Sequence, residues 1–217
     1  MISPSNWRYK SLVGFLRVLM ILIFKIQIHG LERLPLKGPA ILVSNHQSYL
    51  DVPLIGCALV LRKIIWQAYW VIGKVTYASP FLHWFYSNCP AIVINGTVKK
   101  GESVLNNKFM IVIFPEGFYV WNKYKWIRQG KDLNTLERKI GTSAAILALK
   151  TGLPVIPIGL RGTEQALPPF KIFPKPGCLG VQVGLPIHLG KPEPEEVTDE
   201  MIAEKSKLIM NAIDALR

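Results

Sequence analysis

Cysteine is scarce in this chain of 217 residues, and the three present, Cys57, Cys89 and Cys178, stand far apart. An odd, scattered set without metal-like spacing excludes a disulfide framework and fits small buried thiols in a reducing, intracellular compartment. Acidic residues are few before the final stretch: Met1 to Gly190 hold 22 Lys and Arg against 7 Asp and Glu, while Lys191 to Arg217 hold 4 against 7, so a body of +15 carries a tail of −3. Such a body suits an anionic membrane surface, phosphorylated substrates or nucleic acid. Nucleic acid is set aside, because no helix-turn-helix pattern, zinc-finger spacing or aromatic RNP-type strand accompanies the charge. No Gly-x-Ser-x-Gly elbow occurs and no cysteine stands beside a histidine, so nothing in the chain reads as a protein nucleophile. Histidines and carboxylates do not cluster with ligand spacing, so no metal is expected. Internal repeats and low-complexity tracts are absent as well.

Apolar residues, by contrast, are plentiful. Half of the chain is hydrophobic and the mean hydropathy is +0.26 despite a formal charge of +12. That combination suits contact with both lipid and phosphate. The length suffices for one compact domain with a sizeable core. The N-terminal element, Asn6 to Phe24, has an unbroken apolar run only from Val18 to Phe24, between Arg17 and Lys25. This run is too short to span a bilayer. It is long enough to lie in the acyl boundary while Arg8, Lys10 and Arg17 reach headgroups and Trp7 and Tyr9 sit at the wet end. A helix of a soluble core is the alternative. The expected division is a membrane-anchoring helix over residues 1–24 and a catalytic-type domain over 25–217.

Short apolar runs rich in branched residues predict buried strands at Ala40 to Val43, Ile64 to Ile72, Ala91 to Ile94, Phe109 to Phe114 and Pro154 to Leu160. Lys25 to His29 alternates and reads as an edge strand, and Leu179 to Ile187 as a late alternating one. Helices are predicted at Leu50 to Leu61, Ser79 to Tyr86, Gly141 to Lys150, which Gly152 ends, and Met201 to Leu216. Pro154 and Pro157 lack ladder donors, so their strand is expected to be irregular or peripheral in part. Trp121 to Lys139 interleaves aromatic and basic residues and reads as a loop, either an interfacial lip or a solvated segment. Strands alternating with helices make the class α/β, a single domain with a mainly parallel, mixed sheet flanked by helices.

Chemistry concentrates between Pro39 and Asp51. His46 stands just past the end of the Ala40 to Val43 strand, where an open α/β sheet gathers reactive groups. Asp51 lies in the first turn of the next helix. Five positions apart, the two lie on different faces of a continuous helix and can meet only across a strand-to-helix turn. If they meet, the carboxylate fixes the imidazole tautomer and leaves the other ring nitrogen to take a proton near neutral pH. The same stretch also fits a capping box from Ser48 to Asp51, in which the acid merely favours the positive end of the helix. The residues alone leave both readings open. His29, His83 and His188 lack partners at recognisable spacing and read as structural.

Asn45-His46 followed by Asp51, then Phe114-Pro115-Glu116-Gly117 after an apolar strand, then Leu153 to Ile158, form three ordered signatures. In that order they resemble the glycerolipid acyltransferases, the family of lysophosphatidate acyltransferases. The resemblance implies membrane-associated O-acyl transfer from a thioester, acyl-CoA or acyl-carrier protein, to the free hydroxyl of lysophosphatidate, giving phosphatidate in phospholipid synthesis. His46 is implied as general base with Asp51 orienting it, and Asn45, Ser48, Phe114, Pro115, Glu116 and Gly117 as substrate-binding. No cofactor beyond the thioester co-substrate is implied, and the expected place is the cytoplasmic face of an inner or endoplasmic-type membrane. A thioester is already activated, so direct attack by the acceptor needs only a base and a site for the oxyanion. Glu116 can alternatively hold its turn through backbone hydrogen bonds.

The chain departs from the family at two points. The arginines through which the family holds acceptor phosphate are missing: one strand ends Ile94-Asn95-Gly96-Thr97, and Gly117 is followed by Phe118-Tyr119. Lys74, Arg138 and Lys139 are the candidate cations for substrate contact. The loss keeps open another acceptor, such as a monoacylglycerol, a lyso-aminolipid or another lysophospholipid, and also a catalytically silent lipid-binding protein.

Overall fold

The computed structural model of the chain describes residues 6–72, 89–93, 97–117 and 119–217. Asn6 starts the first helix, α1 (Trp7–Ile23), its side chain accepting from the Arg8 N–H at 2.9 Å and so satisfying a donor that the helix start leaves open. The chain passes directly into β1 (Phe24–His29). Strand β2 (Ala40–Ser44), buried at every position, leads through a turn into α2 (Asp51–Leu61). There follow β3 (Ala68–Ile72), β4 (Ala91–Val93), α3 (Thr97–Asn106) and β5 (Met110–Ile113). The second half comprises α4 (Tyr119–Arg128), α5 (Ser143–Thr151), β6 (Val155–Arg161), the short α6 (Thr163–Ala166), β7 (Gly177–Val183) and α7 (Asp199–Asp214).

Among the described residues the strands form one sheet in the order β1-β7-β6-β2-β5-β3-β4. Every neighbouring pair is parallel except β6 with β7. In β2, Ala40 and Leu42 belong to the apolar layer that α1 and α2 complete, whereas Ile41 and Val43 belong to the layer of α3, α5 and α7. With both faces covered, the strand needs apolar residues at every position, which is why its sequence runs instead of alternating. Gly101 lets α3 lie close on α5: a Cβ there would stand 3.0 Å from both Ile111 and Leu147. Gly152, at φ +69°, ends α5 with its N–H donating to the Ala148 carbonyl at 2.8 Å, as a left-handed cap should.

The pairing also fixes which ends share an edge. β2, β5 and β6 run the same way, so their C-terminal ends lie together, while β7 and β1, running oppositely, begin on that edge. The residues that follow β2 and β5, among them His46 and Glu116, are thereby brought side by side.

Several sequence expectations change. Trp121 to Lys139 is in part helix: α4 buries Val120 and Trp121 and exposes Lys125, Ile127 and Arg128, so the aromatic and basic interleaving is the signature of two helix faces. Strand β6 is interior and regular. Pro157 pairs with Val43 and its carbonyl accepts from the Gly184 N–H at 2.8 Å, and on that same side the chain beyond β7 leaves the ladder at Leu185–Pro186, where no donor is called for. The strand expected from Ile64 begins only at Ala68, after a 3-10 turn over Ile65–Gln67. β7 stops at Val183, and Ile187 returns as an isolated bridge to Val155. Lys74, His83, the helix expected at Ser79 to Tyr86 and the strand end at Ile94 to Gly96 lie outside the described residues.

No helix among the described residues is long and apolar enough to cross a membrane. α1 lies on the body of the domain: Tyr9 and Met20 are buried, and the Trp70 indole N–H donates to the Tyr9 hydroxyl at 2.9 Å. Its other side exposes Trp7, Phe15, Val18, Ile21 and Leu22.

Candidate active site

The turn from β2 to α2 is built from side chains that replace missing backbone partners. The Asn45 amide donates to the Leu160 carbonyl at 3.1 Å and accepts from the Leu160 N–H at 2.7 Å, extending the β2–β6 pairing past the strand end. His46 comes next, with Nδ1 2.9 Å from Asp51 Oδ2. The same oxygen accepts from the N–H groups of Gln47 at 2.5 Å and Ser48 at 2.8 Å. Ser48 Oγ accepts from the Leu50 N–H at 3.1 Å and donates to the Leu167 carbonyl at 2.7 Å. The capping-box reading is not what the turn shows: α2 starts from Leu50 without a side-chain cap, and Asp51, its first residue, instead gathers the Gln47 and Ser48 N–H groups and orients the imidazole. A carboxylate at Nδ1 places the proton there and leaves the Nε2 lone pair available.

Two aromatic rings pack against His46. Phe114 stacks on it at 4.4 Å and 28°, Trp121 leans on it at 4.5 Å and 48°, and Tyr49 meets Trp121 edge-on at 5.4 Å. The His46 main-chain N–H donates to Glu116 Oε2 at 2.9 Å. Glu116 belongs to the Phe114–Gly117 turn, which follows β5 and so lies beside the end of β2. That turn closes through the Gly117 N–H on the Phe114 carbonyl at 3.1 Å, with Gly117 at φ +54°, and the Gly141 N–H holds the Pro115 carbonyl at 2.7 Å.

Behind Glu116 lies an ionic relay. Arg138 Nη2 is 2.6 Å and Nε 3.0 Å from Glu116 Oε1, and the same guanidinium bonds Asp214 in bidentate fashion at 2.7 and 3.0 Å. Arg217 adds a contact to Asp214 at 3.0 Å. Hydrogen bonds that Arg138 donates hold the Asp214 carboxyl below the usual carboxylate range, and the same bonds push the Arg138 guanidinium further up. The expectation that Arg138 contacts substrate is thereby corrected, because its donors are committed to two carboxylates. Asn45 and Ser48 are fully buried and spent on backbone, so they shape the turn instead of meeting substrate. Lys139 is exposed and outside the cavity wall.

His46 opens on a cavity of about 230 Å³ between α1 and α2. Phe114, Pro115, Gly117 and Trp121 line its reactive end, and Leu12, Leu16, Val52, Gly56 and Trp70 are among its apolar walls. Gly56 leaves open space where a side chain would stand. Two thiols in this wall are inert: burial pushes Cys57 up to about 11 and Cys89 up to about 12. Sequence reasoning passed over Tyr49, the cavity face of α1 and Asp214. The aromatic content around Trp121 was a usable signal, whereas Asp214, 76 positions from Arg138, gave none.

Comparison with known proteins places the chain. The family described as Acyltransferase matches residues 25–161. Among similar proteins are the chloroplastic 1-acyl-sn-glycerol-3-phosphate acyltransferases of Brassica napus and Arabidopsis thaliana, 29% and 31% identical over 155 residues, in alignments covering 67% of this chain. The chain spans only 40% and 38% of the length of those two proteins. The 1-acyl-sn-glycerol-3-phosphate acyltransferase of Saccharomyces cerevisiae is 26% identical over 209 residues, covering 88% of this chain and 60% of that protein. In fold, the chain resembles the crystal structure of the 1-acyl-sn-glycerophosphate acyltransferase PlsC from Thermotoga maritima, with a TM-score of 0.64 at 19% identity over 96% of this chain and 79% of that one. Since the matched stretch runs from β1 through β6 and encloses the turn that joins His46 to Asp51, this chain belongs to the acyltransferase family.

Proposed function

We propose that the chain transfers a fatty acyl group from an acyl thioester, acyl-CoA or acyl-carrier protein, to the free hydroxyl of lysophosphatidate, giving phosphatidate. The observation that carries this reading is the 2.9 Å pair of His46 and Asp51 opening on an apolar cavity. The acceptor hydroxyl gives its proton to His46 Nε2 as its oxygen attacks the thioester carbonyl carbon. The resulting oxyanion collapses, the carbon–sulfur bond breaks, and the imidazolium returns the proton to the leaving thiolate. Asp51 stabilises the imidazolium between the two steps. The apolar cavity suits the hydrocarbon chain of a substrate, each buried methylene contributing about 0.8 kcal/mol. The enzyme works at a membrane on the cytoplasmic side, with the exposed row of α1 turned to lipid. The names of the similar proteins support the acceptor. Release of free thiol from acyl-CoA in the presence of lysophosphatidate tests the reading: His46→Ala is expected to slow it roughly 10²- to 10⁴-fold, and equal rates in the two proteins would refute it.

A second reading keeps the chemistry and changes the acceptor to a lipid without a phosphate monoester. It is favoured by Phe118-Tyr119 standing where the family carries arginine and by the commitment of Arg138 to Glu116 and Asp214. Turnover across lysophosphatidate, monoacylglycerol and lysophosphatidylethanolamine decides it, and a clear preference for lysophosphatidate removes it.

A further inference from the structure

The segment between α6 and β7 is a projecting loop that its own backbone holds open. The Lys175 N–H donates to the Ala166 carbonyl at 2.8 Å and closes the base, and the Lys171 N–H donates to the Pro168 carbonyl at 3.1 Å within the turn. Pro168, Pro169, Pro174 and Pro176 limit its freedom further. At the tip stand two adjacent large apolar side chains, Ile172 at 84% and Phe173 at 86% exposure. A loop stiffened to hold such groups in water needs a partner that covers them.

Three observations say what that partner is. The register pairs Phe24 with Gly177, so the loop returns beside the C-terminal end of α1, where Ile21 and Leu22 are also exposed. Neighbouring strands lie about 4.8 Å apart, so the foot of the loop and the end of α1 leave the sheet side by side. The flanks are cationic: Lys171 and Lys175 are exposed, and Arg128 of α4 lies 5.7 Å from the Phe170 ring. Glu164, on the adjoining α6, is taken by Lys123 at 3.5 Å. Finally, antiparallel pairing of Arg161 with Gly180 sets the loop on the sheet edge where β2 ends before His46. Apolar tips ringed by lysine and arginine fit a layer of hydrocarbon beneath anionic headgroups.

We propose that the loop Phe170–Lys175 is a second membrane contact, in which Ile172 and Phe173 enter an anionic bilayer while Lys171 and Lys175 meet lipid phosphate, turning the His46 edge toward the membrane. This rests on the membrane reading given above, and the experiment separates the two. Binding of the full chain to phosphatidylcholine vesicles with and without phosphatidylglycerol is measured by sedimentation for wild type, Ile172→Ser/Phe173→Ser and Lys171→Gln/Lys175→Gln. Loss of the apolar pair is expected to weaken binding at least about tenfold, and loss of each lysine roughly fivefold on anionic vesicles only. Turnover of a water-soluble, short-chain lysophosphatidate, which tests acyl transfer without a bilayer, stays at the wild-type level in both variants, as does the unfolding temperature. Unchanged vesicle binding in the apolar double variant overturns the proposal. So does a lipid-free dimer of the wild type that the same variant abolishes, since the patch is then covered by a second copy.

Discussion

Removing Arg138 tests whether the relay behind the site is structural support for the catalytic turn. In Arg138→Ala the Glu116 side chain, 1% exposed, keeps the His46 N–H at 2.9 Å and, for a cation among the described residues, has Arg217 at 3.8 Å. Taking one partner from a buried ion pair costs about 3–5 kcal/mol. The Arg138 side chain is 30% exposed, so water reaches the gap and the lower end, about 3 kcal/mol, applies. For a chain of this size that corresponds to a fall of about 6 to 12 °C in unfolding temperature. The loosened carboxylate also releases the His46 main chain, and kcat of the proposed reaction is expected to drop between tenfold and roughly 10²-fold as the proposed base loses its placement. Adding Glu116→Gln removes the stranded charge while keeping an acceptor for the His46 N–H, so the double variant recovers more than half of the lost stability. Calorimetric scans of wild type, the two single variants and the double close the cycle. A fall below about 2 °C in Arg138→Ala, or a double variant no more stable than that single, refutes the reasoning.

Acid stability follows from Asp214. Its carboxyl is held below the usual range by Arg138, so the stability it contributes is full above the unfolded value of about 4 and is lost as pH falls through the lower folded value; unfolding temperatures measured from pH 6 to 2 should decline less steeply below pH 4 in Asp214→Asn, and parallel curves would contradict this. Gly56→Leu projects into the open space of the cavity. Turnover across acyl-CoA donors of graded length is expected to shift toward donors shorter by about three or four carbons, with stability raised by up to about 1 kcal/mol because a glycine leaves the helix; an unshifted profile would show that the acyl chain lies elsewhere. Iodoacetamide at pH 8 should modify the native chain once, at exposed Cys178, because Cys57 and Cys89 are buried with raised thiol values, and mass spectrometry finding two or three adducts on folded protein would count against that burial.

The contact between His46 and Asp51 was legible because the two, with the Gln47 and Ser48 N–H groups that share the carboxylate, lie within a few residues, and a buried run followed by polar residues marks where a strand ends. The role of Asn45 was not, since its partner Leu160 is 115 positions away and only the pairing of β2 with β6 brings them together. Glu116 illustrates the same limit. Its motif was visible, but its service to the His46 N–H depends on β5 lying next to β2, and its support by Arg138 and Asp214 depends on α7 crossing the sheet. Prolines misled at Pro157, where the local rule about missing donors held while the neighbouring strand supplied a gap at that position. Between Trp121 and Arg128 the bulky aromatics masked a helix whose period becomes evident once Val120 and Trp121 are known to be buried.

Helix α1 is at once an inner wall and an outer skin. From Tyr9 to Arg17 it borders the cavity, fastened to β3 by the bond between Tyr9 and Trp70, while Phe15, Val18 and Leu22 look outward. A rod about 25 Å long cannot yield on one side only. Whatever leans on its exterior, whether a detergent belt, crowded headgroups or the lateral pressure of a leaflet, therefore alters the calibre of the space inside. On the proposed membrane-bound reading, substrate preference is a joint property of the chain and its surroundings, and a profile recorded in micelles is expected to differ from one recorded in vesicles.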